Sequence, residues 1–222
     1  MTAQYTRHWY GKFVINDNLA AASSDYSPFC VTAPNDARLG GQAGQQVCGL
    51  YDVNPSAFGR VSNLRESTTA FGDYIDLFNG VDVAVRARFG RGGLLQGGLS
   101  LGRNERDTCF ANDRPDVLPD GQLVATPRAT DGFCDPAGGW WAANGQVKLS
   151  GSYPLPAGLN LAFVYQNLAG TPILANAVFR NADIAPSLGR NLAACGAAAV
   201  CNATATIALI PKDIPVILDA KR

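Results

Sequence analysis

The stretch NGVDVAVRARFGRGGLLQGGLSLGRN, Asn79–Asn104, reads as two long strands joined by a tight glycine turn. Val81, Val83, Val85, Ala87 and Phe89 share one parity, while Asp82, Arg86 and Arg88 share the other with only Ala84 among them. Successive side chains of a strand point to opposite faces, so this alternation predicts a two-faced strand. Gly90, Arg91, Gly92 and Gly93 then break the pattern, because glycine tolerates the positive φ that a hairpin reversal needs. Alternation resumes with Leu95, Gly97, Leu99 and Leu101 against Gln96, Gly98, Ser100, Gly102 and Asn104. Each arm has the length of a tilted strand crossing a bilayer, roughly 9 to 11 residues.

Working outward, the same pattern recurs twice. Gly145–Asn167 forms a second hairpin, with Val147, Leu149 and Tyr153 against Gln146, Lys148, Ser150 and Ser152, and a turn at Pro154–Gly158. Its return arm alternates Leu159, Leu161, Phe163 and Tyr165 with Asn160, Ala162 and Gln166, leaving Val164 as an apolar exception. Near the start, Tyr5, Trp9, Phe13 and Ile15 alternate with Thr6, His8, Lys12 and Asn16, and Arg7 is the one charge on the apolar parity. The expected strands therefore lie near 5–16, 80–89, 94–104, 145–153 and 159–167, in one partial sheet spanning 1–222. Between them, 17–78, 105–143 and 168–202 dissolve into Gly, Pro, Asn and Asp turn chemistry and read as long loops. Ala203–Ile210 reads as one more short strand.

The composition supports an all-β chain. Glycine numbers 24 and formal net charge is zero, so bulk electrostatics point neither to nucleic acid nor to an anionic surface. No apolar run reaches the 18 or so residues of a transmembrane helix. The N-terminus MTAQYTRHWYGKF has neither the basic start nor the apolar core of a signal peptide, which argues for the cytosol. The six cysteines argue for an oxidising compartment. A fragment lacking its own beginning reconciles the two.

The connections alternate long, short, long, short, long, so an antiparallel up-and-down meander sends every long loop to the same end. The cysteines follow the loops: Cys30 and Cys48 fall in the first, Cys109 and Cys134 in the second, Cys195 and Cys201 in the third, and none in an expected strand. Two per loop favours local bridges, each stiffening a loop with little core of its own. Closing a loop of about 18 residues restricts the unfolded chain by roughly 3 kcal/mol.

The phrases YTRHWYGKFVINDN, SDYSPFCVTAPNDARL, VCGLYDVNPSAFG, FNGVDVAVRARF, LLQGGLSLGR, GSYPLP, FVYQNLAGTPI and SLGRNL, in this order, resemble the late barrel region of TonB-dependent-receptor-like outer-membrane proteins with a carboxypeptidase-regulatory-like domain. The resemblance runs from about Tyr5 to Ile210. It implies a segment of a large transmembrane β-barrel of roughly 22 strands with long extracellular loops. It also implies import of a bulky solute, and partners comprising outer-membrane lipid, the remaining barrel and plug, and the TonB energy-transducing complex. The chain lacks a plug and most strands of such a receptor, so a fragment is expected, located in the bacterial outer membrane. On this reading His8, Asp82, Arg86, Arg88, Gln96 and Lys148 face the lumen. Trp140 and Trp141 sit in an aromatic belt at the outer interface, with packing inside the loop as the alternative.

Other chemistries find weaker support. Gly98–Gly102 has the GxSxG form of a nucleophile elbow, but that motif needs a following helix, and His8 is the single histidine available as a base. No CxxC or HExxH spacing supports a metal site, and no convergent acid, base and nucleophile set supports an enzyme, so no cofactor is expected. A secreted, disulfide-braced β-sandwich working as a binding or adhesion module is the competing expectation.

Overall fold

The computed structural model describes residues 1–90, 92–119, 134, 145–169, 175–198 and 200–209. Its largest element is a five-stranded antiparallel sheet of β1 (Thr2–Trp9), β6 (Ile75–Phe89), β7 (Gly93–Asp107), β9 (Gln146–Pro154) and β10 (Asn160–Leu168), in that spatial order. Spatial order follows chain order, so the expected meander is present. The sheet is open, with β1 and β10 as its edges. The ladder between β6 and β7 runs unbroken from Ile75 opposite Asp107 to Phe89 opposite Gly93. The short reversals after β6 and β9 lie at one end, and the long connections leave from the other.

Register carries the alternation across all five strands. Ala3, Val83, Leu99 and Val147 stand in one cross-strand row, and Val85, Gly97, Leu149 and Tyr165 in another. These rows build one apolar face. It ends toward the long connections at Arg7, Asn79 and Arg103, which are themselves paired in register. There Tyr5 Oη donates to Asn79 Oδ1 at 2.7 Å, and Arg103 pairs with Glu105 at 3.1 Å. At the turn end Phe89 and Tyr153 stack with ring centroids 5.8 Å apart. From Val81 to Phe89 the apolar stretch covers about 26 Å of strand at the usual rise.

Gly97 and Gly98 sit mid-strand, where glycine normally weakens a sheet. Their reason is close approach: a Cβ at Gly97 would lie 2.3 Å from the Lys148 carbonyl oxygen, and one at Gly98 would lie 2.6 Å from that of Val83. Neighbouring backbones crowd here in a way only glycine admits, as at a bend in a curved sheet.

The long connections differ from the irregular loops expected. The first contains β2 (Val14–Asn18), β3 (Tyr26–Thr32), β4 (Gln46–Val53) and β5 (Asn63–Ser67). The second contributes β8 (Val117–Pro119), and β2 lies between β5 and β8 in a three-stranded sheet. The third holds β11 (Asn176–Arg180), α1 (Asn181–Leu188) and β12 (Thr204–Ala208), with β11 paired to β12. Cys30 and Cys48 therefore lie inside strands, facing across the β3–β4 hairpin at a Cα separation of 4.2 Å. Cys109–Cys134 and Cys195–Cys201 complete three local bridges, as two cysteines per connection had suggested.

The expected first strand, 5–16, is two strands in two sheets. Lys12 adopts φ +59°, a conformation an L-residue enters only at a bend, so β1 stops at Trp9 and the chain enters the loop region as β2. Also, β6 begins at Ile75 rather than near residue 80. The short helix α1 went unread in the sequence, although Asp183 accepts from the Arg180 N–H at 2.9 Å and Gly189 closes its C-terminus at φ +75°. Trp140 and Trp141 lie outside the described residues.

The loops also have a core, contrary to expectation, with a second, smaller cluster of Ala21, Tyr26, Val53, Ala57 and Ala193 beside it. Phe29, Val31, Val47 and Leu50 from β3 and β4 pack against Phe179, Ile184, Leu188, Leu192 and Ile207 from the third connection. None of the buried side chains among the described residues comes from the five-stranded sheet. Leu50→Ala is expected to cost the loop module about 2–5 kcal/mol. Amide exchange across β3–β4 reads this loss, while Leu161→Ala on the exposed edge strand β10 leaves those amides unchanged.

Candidate functional site

Two surfaces meet in this fold, a two-faced sheet and a cross-linked module at its long-connection end. The polar face of the sheet collects the residues assigned to it by parity. His8, Asp82, Arg86, Arg88, Gln96 and Lys148 all lie on it, brought together by the registers of four strands. Arg86, Gln96, Ser150 and Val164 form one cross-strand row, and Ala84, Gly98, Lys148 and Gln166 form the next. Side-chain-free Gly98 leaves an open depression of about 440 Å³ between Asp82, Ser100, Gln146 and Lys148.

Ser100 of the GxSxG match sits in mid-strand and donates to Asp82 directly across the ladder. His8 is paired with Phe78, four residues along β6 from Asp82 and so about 13 Å away along the strand. The serine and the carboxylate thus meet without the histidine. Among the described residues, no three His, Cys, Asp or Glu side chains are grouped to hold a metal ion.

The opposite face is apolar and uncovered. Tyr5 is 60% exposed, Leu161 55%, Phe163 47% and Tyr165 50%. Soluble chains seldom leave so continuous an apolar surface open to water.

The module is held by polar contacts that no local motif announces. Asp52, almost wholly buried, accepts from Arg190 Nη1 at 2.6 Å and from the Ala193 N–H at 2.8 Å. Arg190 Nη2 also donates to the Val53 carbonyl at 3.0 Å, tying the β3–β4 hairpin to the third connection. Asp52 and Arg190 lie 138 residues apart. The second connection is tied in through Asp116, which accepts from Arg114 Nη2 at 2.8 Å and from the Ser23 hydroxyl. At the base of the module Phe13 stacks on Tyr74 at 3.8 Å, and Arg106 Nη2 of β7 donates to Tyr74 Oη at 2.6 Å, which anchors module to sheet.

Comparison with known proteins gave no match, whether to a family model, a curated protein or a solved structure.

Burial pushes the Asp116 carboxyl up, but the hydrogen bonds from Arg114 and Ser23 outweigh it and hold the group below the ordinary aspartate value. Asp17, on the neighbouring strand, is raised by burial and by the Asp116 charge, with Arg114 opposing. A depressed carboxylate stabilises the fold above its unfolded pKa of about 3.9 and loses that contribution as pH falls through its lower folded value. Asp17 has the opposite sign, and its contribution falls away as pH rises past the same unfolded value. Arg114→Met leaves burial of Asp116 unopposed by its main partner. Acid titration of the near-UV circular dichroism is expected to show the module unfolding at higher pH in this variant than in the parent.

Proposed function

We propose that the chain is a segment of a TonB-dependent-receptor-like outer-membrane β-barrel. The five-stranded sheet is part of the barrel wall, and the disulfide-braced module stands at its outer end, where a bulky solute is met. The observation that carries this reading is a sheet with an ordered apolar face and an ordered polar face, neither of which buries a side chain. In water such a sheet lacks the burial that stabilises antiparallel strands; between lipid and a wet lumen both faces are matched to their surroundings.

Three further features agree. Long connections at one end and short reversals at the other are the asymmetry of outer-membrane barrels. The apolar stretch of β6, inclined by about 40°, spans close to 20 Å, near the height of a barrel's lipid band. Three disulfides suit an oxidising side of the membrane. The edges β1 and β10 carry backbone groups that hydrocarbon cannot satisfy, so the remaining barrel strands are required partners. Outer-membrane lipid, an internal plug and the TonB complex complete the assembly, with import of the solute as its work and no catalysis by this chain.

A secreted β-sandwich binding module is the second reading, favoured by the cross-linked core of the loops. It requires a second sheet over the apolar face, and the described residues place none there.

On the membrane reading the chain fractionates with outer membranes and needs detergent to stay dispersed. Leu99→Arg, on the apolar face near mid-strand, is expected to oppose insertion by about 2–4 kcal/mol. Ser100→Arg, one residue on and facing the lumen, is expected to leave insertion intact. A chain that is monodisperse in plain buffer, with both variants behaving alike, overturns the proposal.

A further inference from the structure

The polar face is not evenly charged. Along its turn-end half it presents Arg86 and Arg88 from β6, Gln96 from β7, Lys148, Ser150 and Ser152 from β9, and Gln166 from β10, with no carboxylate among the residues of that half. Neither Arg86 nor Lys148 enters an ion pair among the described residues. The nearest carboxylate on this face, Asp82, is engaged by the Ser100 hydroxyl. For a chain of zero formal net charge this is a segregation of cations onto one surface.

Five of these groups, Arg86, Gln96, Lys148, Ser150 and Gln166, line one concavity of about 380 Å³ together with Val164, while Arg88 and Ser152 border a separate one nearer the turn. Guanidinium, ammonium, two amides and a hydroxyl are all able to donate hydrogen bonds. Val164, an apolar residue on the polar parity of β10, is 72% exposed and stands in register with Ser150, Gln96 and Arg86. An exposed valine at the end of a row of donors is poorly placed for water and well placed for the hydrocarbon part of a ligand.

We infer that this concavity is an oxyanion-binding site, in which Arg86 and Lys148 clamp a carboxylate or phosphate group of a solute, Gln96, Ser150 and Gln166 complete its hydrogen bonds, and Val164 meets its apolar portion. Arg86 supplies the planar fork that matches two oxygens, and Lys148 supplies a second charge from two strands away. The occupant is the carboxylate or phosphate group of an anionic solute, chosen by charge complementarity. The inference deepens the proposed receptor reading by giving its solute a charge, and it needs only that the polar face stays wet.

The test uses the full chain, kept in mild detergent, and titrates citrate and inorganic phosphate by calorimetry, with raffinose as a neutral control. Expected is saturable binding of citrate, phosphate or both, weakening as salt screens the charges, and no binding of raffinose. Arg86→Gln and Lys148→Gln each reduce affinity by about tenfold, equivalent to about 1.4 kcal/mol. Arg65→Gln, in the loop strand β5, changes nothing. Which anion binds tighter distinguishes a carboxylate from a phosphate source. Equal binding by parent and by the Arg86→Gln/Lys148→Gln double variant, or binding of an acidic peptide with none of either small anion, overturns the site. Detergent dependence measured on the same samples separates the two claims. A buffer-soluble chain that binds citrate sinks the membrane reading alone, and a detergent-requiring chain that binds neither anion sinks this one.

Discussion

The unbroken ladder between β6 and β7 fixes the placement of every other element. Fifteen residues on each side pair in register, so a slip of one position would carry Val81, Val83, Val85 and Phe89 to the face where β7 presents Gln96 and Ser100. With that register set, β1 and β9 can add only with their own apolar parity on the same side, and β10 follows β9. Because successive strands are antiparallel and the reversals after β6 and β9 are tight, everything long in the chain leaves from the opposite end.

This arrangement inverts the usual division of labour between strands and loops. The regular sheet contributes no buried side chain, while the connections hold the hydrophobic core, a helix and three covalent bridges. The inversion has a physical logic. A module built from three separated stretches must hold together without help from the sheet's faces. Its own apolar area is modest, so disulfides restrict the unfolded chain and the Asp52–Arg190 pair joins stretches far apart in sequence. Breaking one partner of such a buried pair leaves the other charge stranded, at a cost of about 3–5 kcal/mol. The pair thus ties Asp52 of the first connection to Arg190 of the third.

Legibility differed sharply between sheet and module. The sheet was readable because alternation is a local property: the parity of Arg86 or Leu99 follows from neighbours two residues away. The same rule places His8, Asp82, Arg86, Arg88, Gln96 and Lys148 on one face and marks Val164 as an exception. The module was much less so. Strands β3 and β4 shift register between Phe29 and Val31 and are interrupted by Pro28, Gly49 and Asp52, so their periodicity is broken within each strand. Lys12 looked like one more polar residue of a strand, and nothing in its neighbours announces the left-handed bend that divides β1 from β2.

By itself, then, the amino-acid sequence determined the antiparallel meander, the two faces of its strands, the end from which the long connections emerge and the local pairing of the cysteines, because each depends on period, spacing or loop length. Tertiary structure alone decided the rest. It showed that the first and third connections share a core, that Asp52 finds Arg190, and that Arg86, Gln96, Ser150 and Val164 fall in a single row beside Lys148. The reason is the same in each case: cross-strand register and long-range docking depend on which segments meet in space, and no residue carries that information in its immediate neighbours.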